Sequence, residues 1–251
     1  VKHLSIELSE AAVRFSVLEN GIVKDHNFVF TDKKDYRYKE QLEEFLVESG
    51  LKNQDFDETT VSWSCKRSTL IPANIFGESK PESIFKLCYG DEIPSNHIDY
   101  NRIPEHGMVN IYEIPLWVKS FFVIRYPRSI IQHEGSHLLR GIFAENAFKL
   151  KTTIVVYDTF VLIAIVKENK LEFYSVFDYN ENEDIIYHTM FTLQQKGFTK
   201  EMGTLEICPG VGSSSEKLND LHTKFSAFAD LKQATISINN ELITKSQQLC
   251  V

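Results

Sequence analysis

The sequence predicts an α/β protein of two lobes, each built on a mixed five-stranded sheet with flanking helices. Three observations predict it. Leu4, Ile6 and Leu8, then Val13, Phe15 and Val17, alternate with polar neighbours at the period of a half-buried strand. An amphipathic helical stretch with an apolar stripe follows them. The order strand, strand, strand, helix, strand, helix, strand then occurs twice, starting near residues 3 and 152, with little residue identity between the copies. The expected division is a first lobe over 1–150, enlarged by an insertion at about 69–106, and a second lobe over 151–251.

The first two strands are read at Leu4 to Leu8 and Val13 to Val17. Asn20-Gly21 is a two-residue hairpin signal, since both residue types tolerate positive φ, and it leads into a third strand over Ile22 to Phe30. The helix runs from Lys34 to Ser49 with its stripe at Leu42, Phe45 and Leu46, and Gly50 suits the left-handed position after its end. Thr60 to Ser64 is another strand. Thr69 to His106, rich in Pro, Gly and Asn, is read as irregular, with one short helix at Ser83 to Leu87. Leu116 to Ile124 is a helix or a buried strand, which periodicity alone does not separate, and Leu138 to Leu150 is a helix closing the first lobe.

In the second lobe, strands are expected over Thr153 to Tyr157, Val161 to Val166 and Leu171 to Phe177, with Asn169 supplying the last turn. The next helix, Glu183 to Lys196, buries Ile186, Met190 and Leu193. Asn180 with Glu183 resembles a capping box, Asp184 suits the positive end of the helix dipole, and Gly197 ends the helix. Strand Thr204 to Cys208, helix Ser215 to Phe225 and strand Ala234 to Ile238 complete the copy.

At 251 residues, 43% hydrophobic and 25% charged, the chain has enough apolar content for a sizeable core, which excludes collagen-like, low-complexity and wholly disordered classes. A formal charge of −8 offers nothing to offset phosphate repulsion, so no nucleic-acid partner is expected. No stretch reaches the roughly 18 apolar residues of a membrane helix, and direct membrane insertion is not expected. Cys65, Cys88, Cys208 and Cys250 are spaced for neither a zinc knuckle nor a Cys-x-x-Cys pair. Reduced thiols and an N-terminus, Val1-Lys2-His3-Leu4, without an apolar signal region make the cytoplasm the expected compartment.

Two copies of a three-strand meander followed by alternating helix and strand resemble the actin-like ATPase (ribonuclease H-like) superfamily of sugar kinases, heat-shock chaperones and bacterial cell-division and pilus-assembly proteins. Element order by itself fixes no activity. A closer resemblance is carried by Leu171 to Tyr187: an aromatic strand, then Phe177-Asp178-Tyr179, then an acidic helix start running into Ile186-Tyr187. Ser129 to Gly141, with His133 and the pair Leu138-Leu139, adds to it. Both stretches are similar to an uncharacterised family of Bacteroidota-type bacteria, clearest between about 130 and 225. The resemblance implies an actin-like fold with no assigned activity.

The superfamily resemblance also implies where a nucleotide would sit. Active members carry a glycine-bearing Asp-x-Gly turn between the first two strands of each lobe, where backbone N–H groups approach the phosphates and the Asp positions magnesium-bound water. Here the first turn reads Ile6-Glu7-Leu8-Ser9-Glu10-Ala11, with Glu for Asp, Ser for Gly and the added charge of Glu10. The second reads Tyr157-Asp158-Thr159-Phe160, which keeps the Asp without a glycine. A third element, a Gly-Gly against adenosine, corresponds to Cys208-Pro209-Gly210-Val211-Gly212-Ser213-Ser214, although Pro209 removes a donor. The bland reading of these glycines is a strand-to-helix loop with Ser213 to Ser215 as N-cap. ATP hydrolysis is not expected and no cofactor is assigned. The alternative is ATP or ADP with magnesium, bound without efficient hydrolysis at Asp158, Gly210 and Gly212.

One motif points elsewhere. His133-Glu134-Gly135-Ser136-His137 matches the His-Glu-x-x-His pattern of zinc peptidases, in which two histidines on one helix face meet a zinc and the Glu activates its water. Against it, Gly135 and Ser136 loosen a helix that must be rigid. Arg140 stands where the extended motif has Gly, no third His follows at the required distance, and nothing singles out Glu145, Glu168 or Glu172 as a third ligand. No metal site is expected, with His133, Glu134 and His137 as the alternative. Ser5, Ser9 and Ser136 lack nucleophile-elbow glycines, and His97 to His106 with Asp99 and Glu105 is read as a solvated loop. The expected role is a degenerate actin-like ATPase that works, without catalysis, as a protein-interaction or assembly module. Its expected partner is a different protein or another copy of the chain, met through Thr69 to His106.

Overall fold

The alternation at the N-terminus becomes a meander of β1 (Lys2–Leu8), β2 (Ala12–Glu19) and β3 (Ile22–Val29), each antiparallel to the next. Asn20 and Gly21 take φ of 51° and 78°, the two left-handed residues that a tight hairpin requires. The protein is described by a computed structural model that covers every residue except Glu78, Ser79, Asp91, Glu92, residues 146–148 and Val251, and all but the side chain of Ala229. α1 (Asp35–Glu48) follows the meander, and β4 (Glu58–Trp63) returns parallel to β1.

The segment expected to be irregular is a small sheet instead. β5 (Ser68–Pro72), α2 (Ala73–Phe76), α3 (Pro81–Tyr89), β6 (Ile98–Ile103) and β7 (Met108–Glu113) form an antiparallel order β5-β7-β6 over a core of Phe76, Phe85, Val109 and Ile111. Strands of five or six residues, interrupted by Pro72, Asn101 and Arg102, carry too little alternation to announce themselves. The expected helix at 83–87 lies within α3. The apolar stretch that periodicity left open is a helix, α4 (Leu116–Arg125), which buries Trp117, Val118, Phe121 and Phe122. β8 (Ile130–His133) then joins parallel to β4, completing the order β3-β2-β1-β4-β8. α5 (Glu134–Ala144) begins four residues before the expected start and ends well before Leu150. Part of the expected helix, 146–148, lies outside the described residues.

β9 (Leu150–Val156), β10 (Phe160–Lys167) and β11 (Lys170–Asp178) repeat the meander. α6 (Asn182–Gln195) is capped one residue later than the sequence suggests: Glu181 and Asp184, not Asn180 and Glu183, form the capping box. β12 (Gly203–Pro209), α7 (Ser215–Ala227) and β13 (Ala234–Ile238) follow, giving the order β11-β10-β9-β12-β13. The two five-stranded sheets share one strand order and one pattern of antiparallel and parallel pairs, so the duplication read from element order is a duplication of topology. A last helix, α8 (Leu242–Gln248), has no counterpart in the sequence reading.

By contacts the chain divides into one unit of Val1–Arg140 with Thr244–Val251 and another of Gly141–Ile243, where the sequence division fell at 150. In the first unit Leu4, Ile6, Leu8, Val13, Phe15, Val61 and Trp63 form one core with Tyr38, Leu42, Trp117 and Phe122. Strand alternation puts His3, Ser5 and Glu7 on the opposite face of β1, where they are buried with Ser16, Thr60 and Ser62. The second unit closes its core on Ile154, Val161, Ile163, Ile185, Leu193, Ile207, Leu221 and Phe225.

Candidate functional site

The turn between β1 and β2 is closed on itself. Ser9 Oγ accepts the N–H groups of Ala11 and Ala12 at 3.1 and 3.2 Å, and Ser9 N donates to Ala12 O at 3.0 Å. Ser9 thus binds two backbone amides of its own turn. Glu7 does not present its charge at this turn. It lies directly opposite Arg14 in the β1–β2 register, fully buried, and its carboxylate takes Arg14 Nη2, Arg14 Nε at 3.2 Å and Thr244 Oγ1 at 3.2 Å. Burial alone would lower the Arg14 pKa, but the Glu7 carboxylate outweighs it and holds the guanidinium above its ordinary range. The Glu7 charge is therefore neutralised within the fold, while Glu10, whose added charge the sequence singled out, is exposed.

In the second unit the equivalent turn is also filled from within. Asp158 is exposed, between Tyr157, whose N–H donates to Phe160 O at 3.0 Å, and Thr159, whose carbonyl accepts from Tyr179 N. The Tyr157 ring is buried and stacks on Phe160 with centroids 4.2 Å apart. It occupies the space beside Gly210, where an added Cβ would come within 2.6 Å of Tyr157 Cε1. Gly210 is small because an aromatic ring of its own chain lies against it. Gly212 takes φ 88°, a conformation that favours glycine. Ser214 caps α7 by accepting Lys217 N at 3.3 Å, inside the Ser213 to Ser215 span read as the cap. Lys217 Nζ, the cation at this helix start, donates to Tyr179 Oη at 2.8 Å and reaches Asp158 O at 3.5 Å. Tyr179 in turn donates to the Tyr157 carbonyl.

The His-Glu-x-x-His segment does not lie on one helix. His133 ends β8 and Glu134 to His137 begin α5, so the motif straddles a strand and a helix. His133 Nδ1 accepts Gly135 N at 3.0 Å and lies 3.0 Å from Asn110 Nδ2. Glu134, fully buried at the helix start, accepts from Ser64 Oγ. His137 Nδ1 lies 3.2 Å from Cys250 Sγ, which Arg140 Nη1 approaches at 3.6 Å. Burial pushes His133 down to about 4 and His137 down to about 3, so both rings are neutral at pH 7. Among the described residues no group of three or more His, Cys, Asp or Glu stands where it could hold a metal ion.

In each unit the turn between the first two strands of the five-stranded sheet is tied by hydrogen bonds between its own residues. Sequence reasoning located Ser9, Asp158, Gly210 and Gly212 but missed Arg14, Tyr157, Tyr179 and Lys217. Arg14 had a signal: a tight turn after Leu8 makes residues 7 and 14 cross-strand neighbours, and they carry opposite charge. Tyr157 had none, because its partner Gly210 is far away in the chain. Among the described residues no helix is long and apolar enough to cross a membrane.

No curated protein matches the sequence. Of the solved structures, a Bacteroides thetaiotaomicron protein with actin-like ATPase fold and unknown function is similar over 100% of this chain and 96% of its own, at a TM-score of 0.76 and 19% identity. A chain of the PilM–PilN type IV pilus biogenesis complex is similar over 99% of this chain and 94% of its own, at 0.57 and 11%. The duplicated sheets are therefore an actin-like ATPase fold, as the repeated element order implied. Residues 1–228 match the family described as Protein of unknown function (DUF3822), and the chain belongs to that family.

Proposed function

We propose that the protein is a degenerate actin-like ATPase that does not turn over nucleotide and works as a protein-interaction or assembly module. The observation that carries this reading is the Ser9 turn, whose Ala11 and Ala12 amides are held by the Ser9 hydroxyl in place of an incoming phosphate. Glu7, in the position of a magnesium-ordering Asp, is committed to Arg14 and Thr244. The Tyr157 ring beside Gly210 makes the same point in the second unit. As folded, these groups do not fit ATP with magnesium. Likeness to a chain of a pilus biogenesis complex supports an assembly role by analogy of fold, and no more than that.

Calorimetry with ATP and magnesium, paired with a phosphate-release assay, tests the reading. The expected outcome is no turnover and no magnesium-dependent heat. Magnesium-dependent ATP binding accompanied by turnover overturns it. Binding without turnover, abolished by a bulky residue at Gly212, would instead favour a nucleotide-binding role at Asp158, Gly210 and Gly212.

A further inference from the structure

Five-stranded sheets have two edges, and the edges of this protein are not alike. β8 has four residues and β13 five, too short to template a long pairing. β11 is long, but its register slips between Ile165 and Val166 of its neighbour, a bulge that turns an edge away from incoming strands. β3 is eight residues long, pairs with β2 without a break, and lies at the end of its sheet. It exposes Ile22 (72%), Val29 (65%) and Val23 (44%) to solvent, and an edge strand leaves alternate backbone N–H and C=O groups unpaired by its own sheet. No proline guards it; its only protection is the charged and polar run Lys24, Asp25, His26 and Asn27.

That run is self-complementary. Two copies of one edge strand related by a two-fold axis perpendicular to the sheet pair antiparallel, and opposed side chains then share a face, so only registers that oppose positions of like parity are allowed. With the axis at His26, Asp25 faces Asn27 of the second copy and Val23 faces Val29. On the other face the Lys24 stem lies against Phe28, and His26 faces its own copy. Val23, Phe28 and Val29 each gain an apolar or aliphatic neighbour and no like charges meet at neutral pH. The adjacent register centred on Asp25 opposes two carboxylates and sets Lys24 against His26. The register centred on Asn27 sets Asp25 against Val29.

We propose that β3 is a self-association edge, on which a second copy of this chain adds its own β3 antiparallel with His26 at the two-fold axis. This rests on the interaction reading and gives it a partner, yet it fails separately. ATP turnover would end the non-catalytic reading and leave the dimer standing, whereas a monomer would leave the closed phosphate turns untouched.

Light scattering on the full chain over a concentration series gives the first readout, with a concentration-dependent dimer expected. Register is read by oxidative cross-linking in a Cys88→Ser background, since Cys88 is an exposed thiol. His26→Cys faces itself and should give a covalent dimer. Asp25→Cys alone and Asn27→Cys alone should not, while an equal mixture of the two should. Circular dichroism of each variant confirms that it is folded, since the substituted residues lie at an open edge. A monomer at every concentration overturns the proposal, and so does a dimer that His26→Cys fails to cross-link.

Discussion

Gly210 and Tyr157 are best understood together, because each explains the other. An alanine at 210 would drive its Cβ into the Tyr157 ring, and overpacking of this kind costs about 1–3 kcal/mol. Gly210→Ala should therefore lower the thermal midpoint, and Tyr157→Ala should abolish most of that effect, a coupling that a double-mutant cycle reads directly. Strictly additive losses would show that the ring does not set the glycine. Glu7 and Arg14 give a second coupled pair. Arg14→Met strands a buried carboxylate and should cost about 3–5 kcal/mol in urea denaturation, whereas Glu7→Leu combined with Arg14→Met should cost less. Of these four residues only Glu7 and Arg14 are near enough in sequence for their contact to be read from a hairpin. The sequence marked Gly210 as part of a strand-to-helix loop, with a nucleotide as the alternative occupant. What it could not carry was the distant Tyr157 ring that lies against this glycine.

At the scale of elements, legibility followed length and alternation. β1, β2, β9 and β10 present long period-two or apolar runs bounded by turn residues, and α1 and α6 present stripes with recognisable ends, so all were read within a few residues. β8 is Ile-Ile-Gln-His, too short to show a period, so the sequence reading placed no strand before the His133 motif. α8 escaped notice because its sequence, Leu-Ile-Thr-Lys-Ser-Gln-Gln, is largely polar while most of it is buried. Its polar side chains meet the polar face of the first sheet: Thr244 Oγ1 donates to Glu7, and Thr60 Oγ1 donates to Gln247 Oε1 at 2.8 Å, with His3 Nε2 2.8 Å from the same hydroxyl. Gln247→Leu removes the acceptor in a buried network and should cost about 1–3 kcal/mol by chemical denaturation. No loss would mean that α8 is held by its apolar residues alone.

For the whole molecule, the two units should answer acid differently. His133 and His137 both belong to the first unit, and burial holds them neutral down to about pH 4 and about pH 3. In the unfolded chain the same rings take up protons near pH 6.5. The unfolded state then binds more protons than the folded one, so this contribution to stability is whole above pH 6.5. It drains as pH falls toward 4, by up to about tenfold in the folding equilibrium per pH unit for each ring. Both tryptophans, Trp63 and Trp117, also lie in the first unit. Acid titration should therefore shift tryptophan emission before amide protection is lost in β9, β10 and β12. Loss in the reverse order would contradict it.

The assignment of residues 244 onward to the first unit bears on the order in which the protein is made. A ribosome delivers Val1–Arg140 before Gly141–Ile243, yet Glu7 and Thr60 wait for Thr244 and Gln247, which emerge only after that second unit. The second unit, by contrast, is one unbroken stretch from Gly141 to Ile243. The unit begun earlier is thus completed after the later one, and its buried carboxylate and hydroxyls stay incompletely partnered while Gly141–Ile243 is being made.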